Sequence, residues 1–510
     1  MIIVLNFGGQ YCHLICRRIR DLGVSSEILP FNASKEDILM KQPRGIILSG
    51  GPSSVYDEKA PVMKKNMLEL GVPILGICYG LQLIAKLSEG EVKQKQREYG
   101  KNILRVQKQG ILLKGLKKTE QVWASHGDSV LSLPSEFTIL ASTESCRIAA
   151  FENNNRKLFG VQFHPEVTHT PHGKRVLQNF VFEICQSEKD WNMKNLDKLL
   201  IDDIKKTVGK HSVLMATSGG VDSTVAAVLF HKAINERVFC IFVDHGLLRR
   251  NERSEVENIY SSFGFKNFYT IDASSLFISR LRGVTDPEKK RTIIGTTFID
   301  VFEKKAKEIE KYHPEISFLG QGTIYPDRIE SAQPSKEASK IKSHHNLSLP
   351  EKMKLKVIEP LKELYKDEVR DLGKTLSIPQ EILNRHPFPG PGLAIRIVGE
   401  ITQERIDIVR NADAIFIEEL KKSGFYSKTW QAFAALFPVR TVGVMGDSRT
   451  YDYCIVLRAV TSTDAMTADW AKIPQPLLEK ISSRIINNVR GVNRVFYDIS
   501  QKPPATIEYE

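Results

Sequence analysis

Short, unbroken apolar runs, separated by stretches with helical spacing, mark the N-terminal third of the chain. The runs lie at residues 2–5, 45–48, 73–77 and 158–163. None alternates apolar with polar positions, the pattern of strands covered on both faces of a parallel sheet. A polar segment at 186–195 reads as a linker. A second series starts near Leu196, where a strand at 213–216 runs into Gly219 and Gly220 and then into a helix from Ser223. Strands at 238–243 and 268–271 follow, and this strand–loop–helix alternation again predicts a parallel α/β layer. A Pro/Gly cluster at 386–392 opens a third region. Helices are predicted there at 402–422, 428–436 and 477–489, and strands at 439–444, 453–457 and 494–499. The pattern therefore predicts an α/β protein. Two doubly wound parallel-sheet domains, 1–187 and 196–385, are followed by a smaller α+β domain at 386–510. The charged stretches 264–295 and 335–356 lack apolar periodicity and are expected to act as lids.

Composition changes this picture little. A chain of 510 residues exceeds one ordinary core and suits about two to four domains. Its 42% hydrophobic and 26% charged residues are an ordinary globular balance. No apolar run reaches the roughly 18 residues needed to cross a bilayer, so no membrane partner is expected. The N-terminal MIIVLNFGG reads as a strand, not as a secretory leader. Seven cysteines without a CxxC pair argue against a disulfide framework or a zinc site and suit a reducing, cytoplasmic setting. The net charge of +12 fits either a Lys-rich solvated surface or a preference for phosphate-bearing partners. Charge alone does not separate the two.

Two places carry chemistry. The run at 73–77 ends in Cys78-Tyr79-Gly80 and a helical stretch follows. A cysteine between strand and helix sits where free N–H groups and the helix dipole favour a thiolate. A sharp turn also exposes it, as in a nucleophile elbow. A buried structural cysteine is the alternative. His164 follows a predicted strand as a candidate base, with Glu166 two residues on to orient it. Gly50 and Gly51 follow another strand and permit the close backbone approach of an oxyanion hole. The second place is Ser218-Gly219-Gly220-Val221-Asp222-Ser223, between strand and helix. Its glycines, hydroxyls and helix N-terminus suit an anion. Asp222 repels phosphate unless Mg²⁺ bridges them. Asp327 and Glu330, three residues apart, are candidates for metal or substrate, with a solvated acidic turn as the alternative.

Taken together, GGP at 50–52, GICYGLQ at 76–82 and HPE at 164–166 resemble the class I glutamine amidotransferases. That resemblance implies nucleophilic attack by Cys78 on the glutamine carboxamide, proton transfer by His164 and orientation by Glu166. It implies oxyanion contacts from the backbone N–H groups of Gly51 and Tyr79, with Gln82 and His126 near the glutamine. The first strand ends in Asn6-Phe7-Gly8-Gly9-Gln10 where DFGSQ is common in that family, and tuning of this loop is expected. SGGVDS resembles the loop of N-type ATP pyrophosphatases and lacks the GKS or GKT of a Walker A loop. HPFPGPGLA at 386–394, GVMGD at 443–447 and KPPATIE at 502–508 resemble the GMP synthetase family. The implied reaction takes ATP, XMP and L-glutamine through an adenyl-XMP intermediate, with Arg291, Lys502, Ile507 and Glu508 on XMP. The implied assembly is a homodimer, with strand 494–499 and the helix before it as the place to look. No nucleic-acid partner is expected. An RNA-modifying enzyme with the same loop and a non-catalytic nucleotide binder are the rivals.

Overall fold

The structure, a computed structural model, describes residues 1–192, 194–327, 355–462 and 467–510. Two compact units divide the chain, Met1–Asn192 and Met193–Glu510.

In the first unit the strands are β1 (Ile2–Asn6), β2 (Ser26–Pro30), β3 (Gly45–Leu48), β4 (Ile74–Ile77), β5 (Glu91–Val106), β6 (Thr119–Ser132), β7 (Thr138–Ser142), β8 (Ala150–Asn153) and β9 (Leu158–Val161). They form one sheet in the order β2-β1-β3-β4-β9-β8-β7-β5-β6. From β2 to β9 the pairing is parallel, and from β9 to β6 it is antiparallel. The parallel strands β1, β3, β4 and β9 are buried at every position, which is why they read as unbroken apolar runs. Strand β6 alternates buried and half-exposed residues along much of its length, as a sheet with one wet face requires. The segment after this unit's last helix is not slack. Asp190 accepts from Ser25 N at 2.6 Å, and the Arg20 guanidinium lies 4.3 Å from the centroid of the Trp191 ring.

The second unit holds β10 (Ser212–Thr217), β11 (Val238–Asp244), β12 (Phe268–Asp272), β13 (Ile316–Gly320) and β14 (Lys356–Ile358). All pair in parallel, in the order β12-β11-β10-β13-β14. The chain winds outward through β11 and β12, then returns to the other side of β10 at β13. Connections from β10 and β13 therefore diverge at their C-terminal ends, the usual place for a ligand in such sheets. A smaller sheet of β15 (Gln431–Met445), β16 (Ser448–Thr461), β17 (Asp469–Trp470) and β18 (Val492–Tyr497) completes the unit. One apolar core runs from Leu214 and Ile241 through Leu393 to Phe416, Ile455 and Ile485.

Two expectations are corrected. Residues 428–436 are not a helix, because Gln431 opens strand β15. Phe433 and Ala435 pack into one cluster, while Ala432, Ala434 and Leu436 pack into another. With both faces buried there is no alternation to read, and the alanines favour helix on propensity alone. Residues 264–295 contain β12 and the helices Ser274–Leu281 and Pro287–Tyr312, with Phe277, Leu281 and Ile294 in the core. This regular, packed structure removes the ground for reading the stretch as a lid. Nearly all of the other expected lid, 335–356, lies outside the described residues. Among the described residues no helix is long and apolar enough to cross a membrane.

Candidate functional site

Cys78 stands between β4 and the helix Tyr79–Leu87 with φ 53° and ψ −106°. A non-glycine residue in that region is strained, and such strain persists only where the surroundings impose it. The imposing contacts are visible on both sides. A Cβ on Gly76 would lie 2.4 Å from the Gly80 carbonyl carbon, and one on Gly80 would lie 2.3 Å from Leu48 O. Cys78 N donates to Val161 O at 2.8 Å, tying the turn to β9. Tyr79 opens the helix, so its N–H has no acceptor within it. Gly51 is pressed against the first strand end, where a Cβ would lie 2.7 Å from Phe7 O. Gly9 is equally tight: a Cβ there would lie 2.3 Å from Gly50 O. A serine at position 9 would thus need this loop to open, which gives the departure at Gly9 a steric reason.

His164 follows β9 and meets Glu166 through Nδ1···Oε1 at 2.7 Å, with both side chains buried. Its backbone is held by His164 N to Trp123 O at 2.9 Å and by Thr170 Oγ1 to His164 O at 2.7 Å. A Cβ added to Gly50 would sit 3.1 Å from His164 Cε1 and 3.7 Å from Cys78 Cβ, so the two side chains flank that glycine. Burial pushes the imidazole pKa down, but the Glu166 carboxylate and the Cys78 thiol outweigh it. The ring is held well above its ordinary value. A raised folded-state pKa contributes stability fully present below about pH 6.5, the unfolded value. That contribution is lost as pH rises through the raised value into the alkaline range. Unfolding free energy measured against pH should show this alkaline loss in the parent and not in His164→Gln.

Around this pair, Gln82 Nε2 donates to Asp128 O at 2.9 Å. His126 is buried with Nδ1 3.0 Å from Asp128 O and Nε2 3.1 Å from Glu98 Oε2. Burial pulls the Glu98 carboxyl up, yet bonds from His126, Ser145 and Thr143 hold it well below the usual carboxylate range. The first unit therefore places Cys78, Gly51, Tyr79, His164 and Glu166 just past the ends of β3, β4 and β9, with Gln82 on the helix after Cys78 and His126 within β6. Glu98 is the member that sequence reasoning missed.

In the second unit the loop after β10 closes on itself. Gly219 takes φ +72°, and a Cβ there would lie 2.4 Å from Val256 Cγ2. Ser218 Oγ and Ser223 Oγ lie 3.0 Å apart, and Ser223 Oγ donates to Gly220 O at 3.1 Å. Val221 begins the helix Val221–Ile234, whose first N–H groups have no acceptor within the helix, an arrangement that suits an anion. Gly322, just past β13, packs against the same helix start, where a Cβ would lie 3.0 Å from Ser223 N. Two cations were not foreseen here. Lys366 Nζ meets Asp222 Oδ2 at 3.0 Å, and Arg385 Nη1 donates to Gly219 O at 3.3 Å. Their sequence distance, 144 and 166 residues from those partners, hid them. Among the described residues Asp222 Oδ1, buried, has no hydrogen-bond partner, a donor atom that fits Mg²⁺. Among the described residues no group of three His, Cys, Asp or Glu could hold a metal alone. An ion would therefore arrive with the phosphates, as Mg²⁺ usually does. The helix Glu252–Ser262, which carries Val256, also lines a cavity of about 650 Å³ with Arg249, Ser274 and Arg410.

Arg291 and the residues at 506–510 come together. Arg291 Nη2 donates to the backbone oxygen of Glu510 at 2.6 Å. Arg396, fully buried, pairs with Glu508 Oε1 at 3.1 Å. Arg458, also buried, donates to Ile507 O at 2.9 Å and Thr506 O at 2.8 Å. Ile507 packs with Phe433, Ala435 and Val460. Lys290, fully buried, donates to Ile397 O at 2.7 Å and pairs with the Glu510 carboxylate. Lys502 is half-buried and its backbone pairs with Ala468. Asp327 Oδ2 accepts from Ile324 N at 3.1 Å, and Glu330 lies outside the described residues.

Three family models match the chain: glutamine amidotransferase class-I over residues 3–184, NAD synthase over 192–286, and GMP synthase C terminal domain over 418–509. The glutamine-hydrolysing GMP synthase of Aquifex aeolicus is 55% identical over 511 residues, 100% of this chain and 99% of the relative. That of Carboxydothermus hydrogenoformans is also 55% identical, with the same coverage. That of Clostridium botulinum is 52% identical over 512 residues, again 100% and 99%. With relatives this similar along their full length, the chain belongs to the family of glutamine-hydrolysing GMP synthases.

Proposed function

We propose that this chain makes GMP from XMP in two half-reactions, one in each unit. Residues 1–187 release ammonia from glutamine. Cys78 Sγ attacks the carboxamide carbon, and the backbone N–H groups of Gly51 and Tyr79 hold the oxyanion. His164 takes the Cys78 proton as the sulfur attacks and passes it to the departing ammonia, with Glu166 keeping the ring oriented; it then takes a proton from the water that cleaves the thioester and returns it to the leaving sulfur, releasing glutamate. Gln82 and His126 act by holding the backbone of the glutamine pocket.

Residues 196–385 activate XMP. Its O2 attacks the α-phosphorus of ATP, forming adenyl-XMP and releasing diphosphate onto Ser218–Ser223. Mg²⁺ held by Asp222 and the phosphates would offset their negative charge. The cavity beside the Glu252–Ser262 helix gives room for a nucleoside. Ammonia then attacks C2 of the purine and AMP leaves. Residues 386–510 complete the XMP site: Arg291 and Lys502 suit a monophosphate, and the tail carrying Ile507 and Glu508 suits the base. A homodimer through this last region is supported by Phe496 on β18 and Ile499 just after it, both exposed. Seven free cysteines fit a reducing, cytoplasmic setting.

The observation that carries this reading is the strained Cys78 turn beside the His164–Glu166 pair. The test is a product assay with purified protein, Mg·ATP, XMP and glutamine, separated by anion exchange. GMP, AMP and diphosphate in equal amounts are expected. AMP formed only when RNA is supplied would move the reading to an RNA-modifying enzyme, and no nucleotide cleavage would leave a binder.

A further inference from the structure

Glu98 sits on β5, buried, and no step assigned above uses it. Its Oε1 accepts from Thr143 Oγ1 at 2.6 Å and from Ser145 Oγ. Its Oε2 faces His126 Nε2 at 3.1 Å, while His126 Nδ1 faces Asp128 O at 3.0 Å. Both ring nitrogens thus meet protein oxygens. Asp128 O accepts a second bond, from Gln82 Nε2 at 2.9 Å. At the other end of the segment, Ser125 O lies 3.6 Å from Cys78 Sγ. The backbone from Ser125 to Asp128 is therefore pinned from behind at one end and touches the nucleophile at the other.

A buried carboxylate is unfavourable by several kcal/mol unless every lone pair finds a partner. A plain apolar support would hold a turn without that cost. What a hydrogen-bonded network adds is one defined arrangement of the backbone it grips. Here the gripped backbone is the wall that faces Cys78.

We propose that Glu98 is a positioning residue of the glutamine site, acting through His126 to fix the Ser125–Asp128 backbone against which the substrate lies. This rests on the glutaminase reading of Cys78. Loosening the wall against which glutamine lies removes contacts made alike in the ground and transition states, so productive binding should weaken by about tenfold. In Glu98→Gln, KM for glutamine rises by about tenfold, with kcat at saturating glutamine changed by less than about threefold.

Iodoacetamide, which needs no glutamine pocket, should alkylate Cys78 in Glu98→Gln at the parent rate. A diazoketone analogue of glutamine should label it more slowly than it labels the parent. A merely structural role would lower both labelling rates together, and that result would overturn the proposal, as would an unchanged KM. If Glu98→Gln does not fold, Thr143→Val decides: it removes one bond to Glu98 without changing charge, and an unchanged KM there also rejects the idea. Cys78→Ala is the control. Glutamine use that survives it removes the glutaminase reading and this proposal together. An inactive Cys78→Ala alongside an unchanged KM in Glu98→Gln removes the proposal alone.

Discussion

In Cys78→Ala, glutamine-driven GMP formation falls by at least about 10⁴-fold, while ammonia-driven formation stays within about twofold of the parent. The size follows from covalent catalysis. Loss of the nucleophile leaves only the oxyanion donors and the bound pose, and no neighbour replaces the sulfur. His164 keeps its Glu166 partner but has no thiol to serve. In the proposed scheme the ammonia route bypasses this unit, because nucleotide activation is assigned to residues 218–223, which lie in the other. Parallel assays with glutamine and with an ammonium salt measure both numbers. A loss of ammonia-driven synthesis as large as the glutamine loss would defeat the two-site scheme.

Glu510→Ala should lower the stability of the second unit by about 3–5 kcal/mol, the usual cost of stripping one partner from a buried ion pair. Lys290 is fully buried, and Glu510 is the carboxylate it pairs with. Gly399 N also donates to Glu510 Oε1, at 3.0 Å. Adding Lys290→Met should recover part of the loss, because an apolar side chain of similar length needs no counter-charge. The sign of the pH effect follows from burial. Burial pushes the Lys290 pKa down, and Glu510 opposes that. Without Glu510 it falls further, so across the pH range between the folded value and about 10.4 the unfolded chain binds more protons. The deficit of Glu510→Ala should therefore shrink as pH rises toward 10.4. Hydrogen exchange of β16 amides reads the stability of this unit. An unaltered exchange pattern in Glu510→Ala would show that the pair contributes nothing.

The chemistry that was legible in the sequence is chemistry carried by neighbours in the chain. Cys78 could be placed on a turn because Gly76 and Gly80, whose missing side chains permit that turn, lie two residues either side. Ser218–Ser223 could be read as an anion loop for the same reason. Lys366, Arg385, Lys290, Arg396 and Arg458 were invisible because each meets its partner across a long sequence separation. A lysine that holds two carbonyls and a carboxylate looks, in sequence, like any lysine on a helix. Residues 428–436 failed differently. A strand buried on both faces by two separate clusters loses its alternation, and five residues such as AFAAL then look helical. Glu98 was missed because a carboxylate in a polar strand gives no sign that Thr143, Ser145 and His126 converge on it.

The continuous core of the second unit has a consequence for how such a chain can be divided. Leu214 and Ile241 share one apolar cluster with Ile455 and Ile485. A cut near residue 193 falls at the division between the two compact units. A cut near residue 386 leaves both products with an open apolar wound, and neither should survive alone. Residues 193–510 should therefore express and fold only as a single piece.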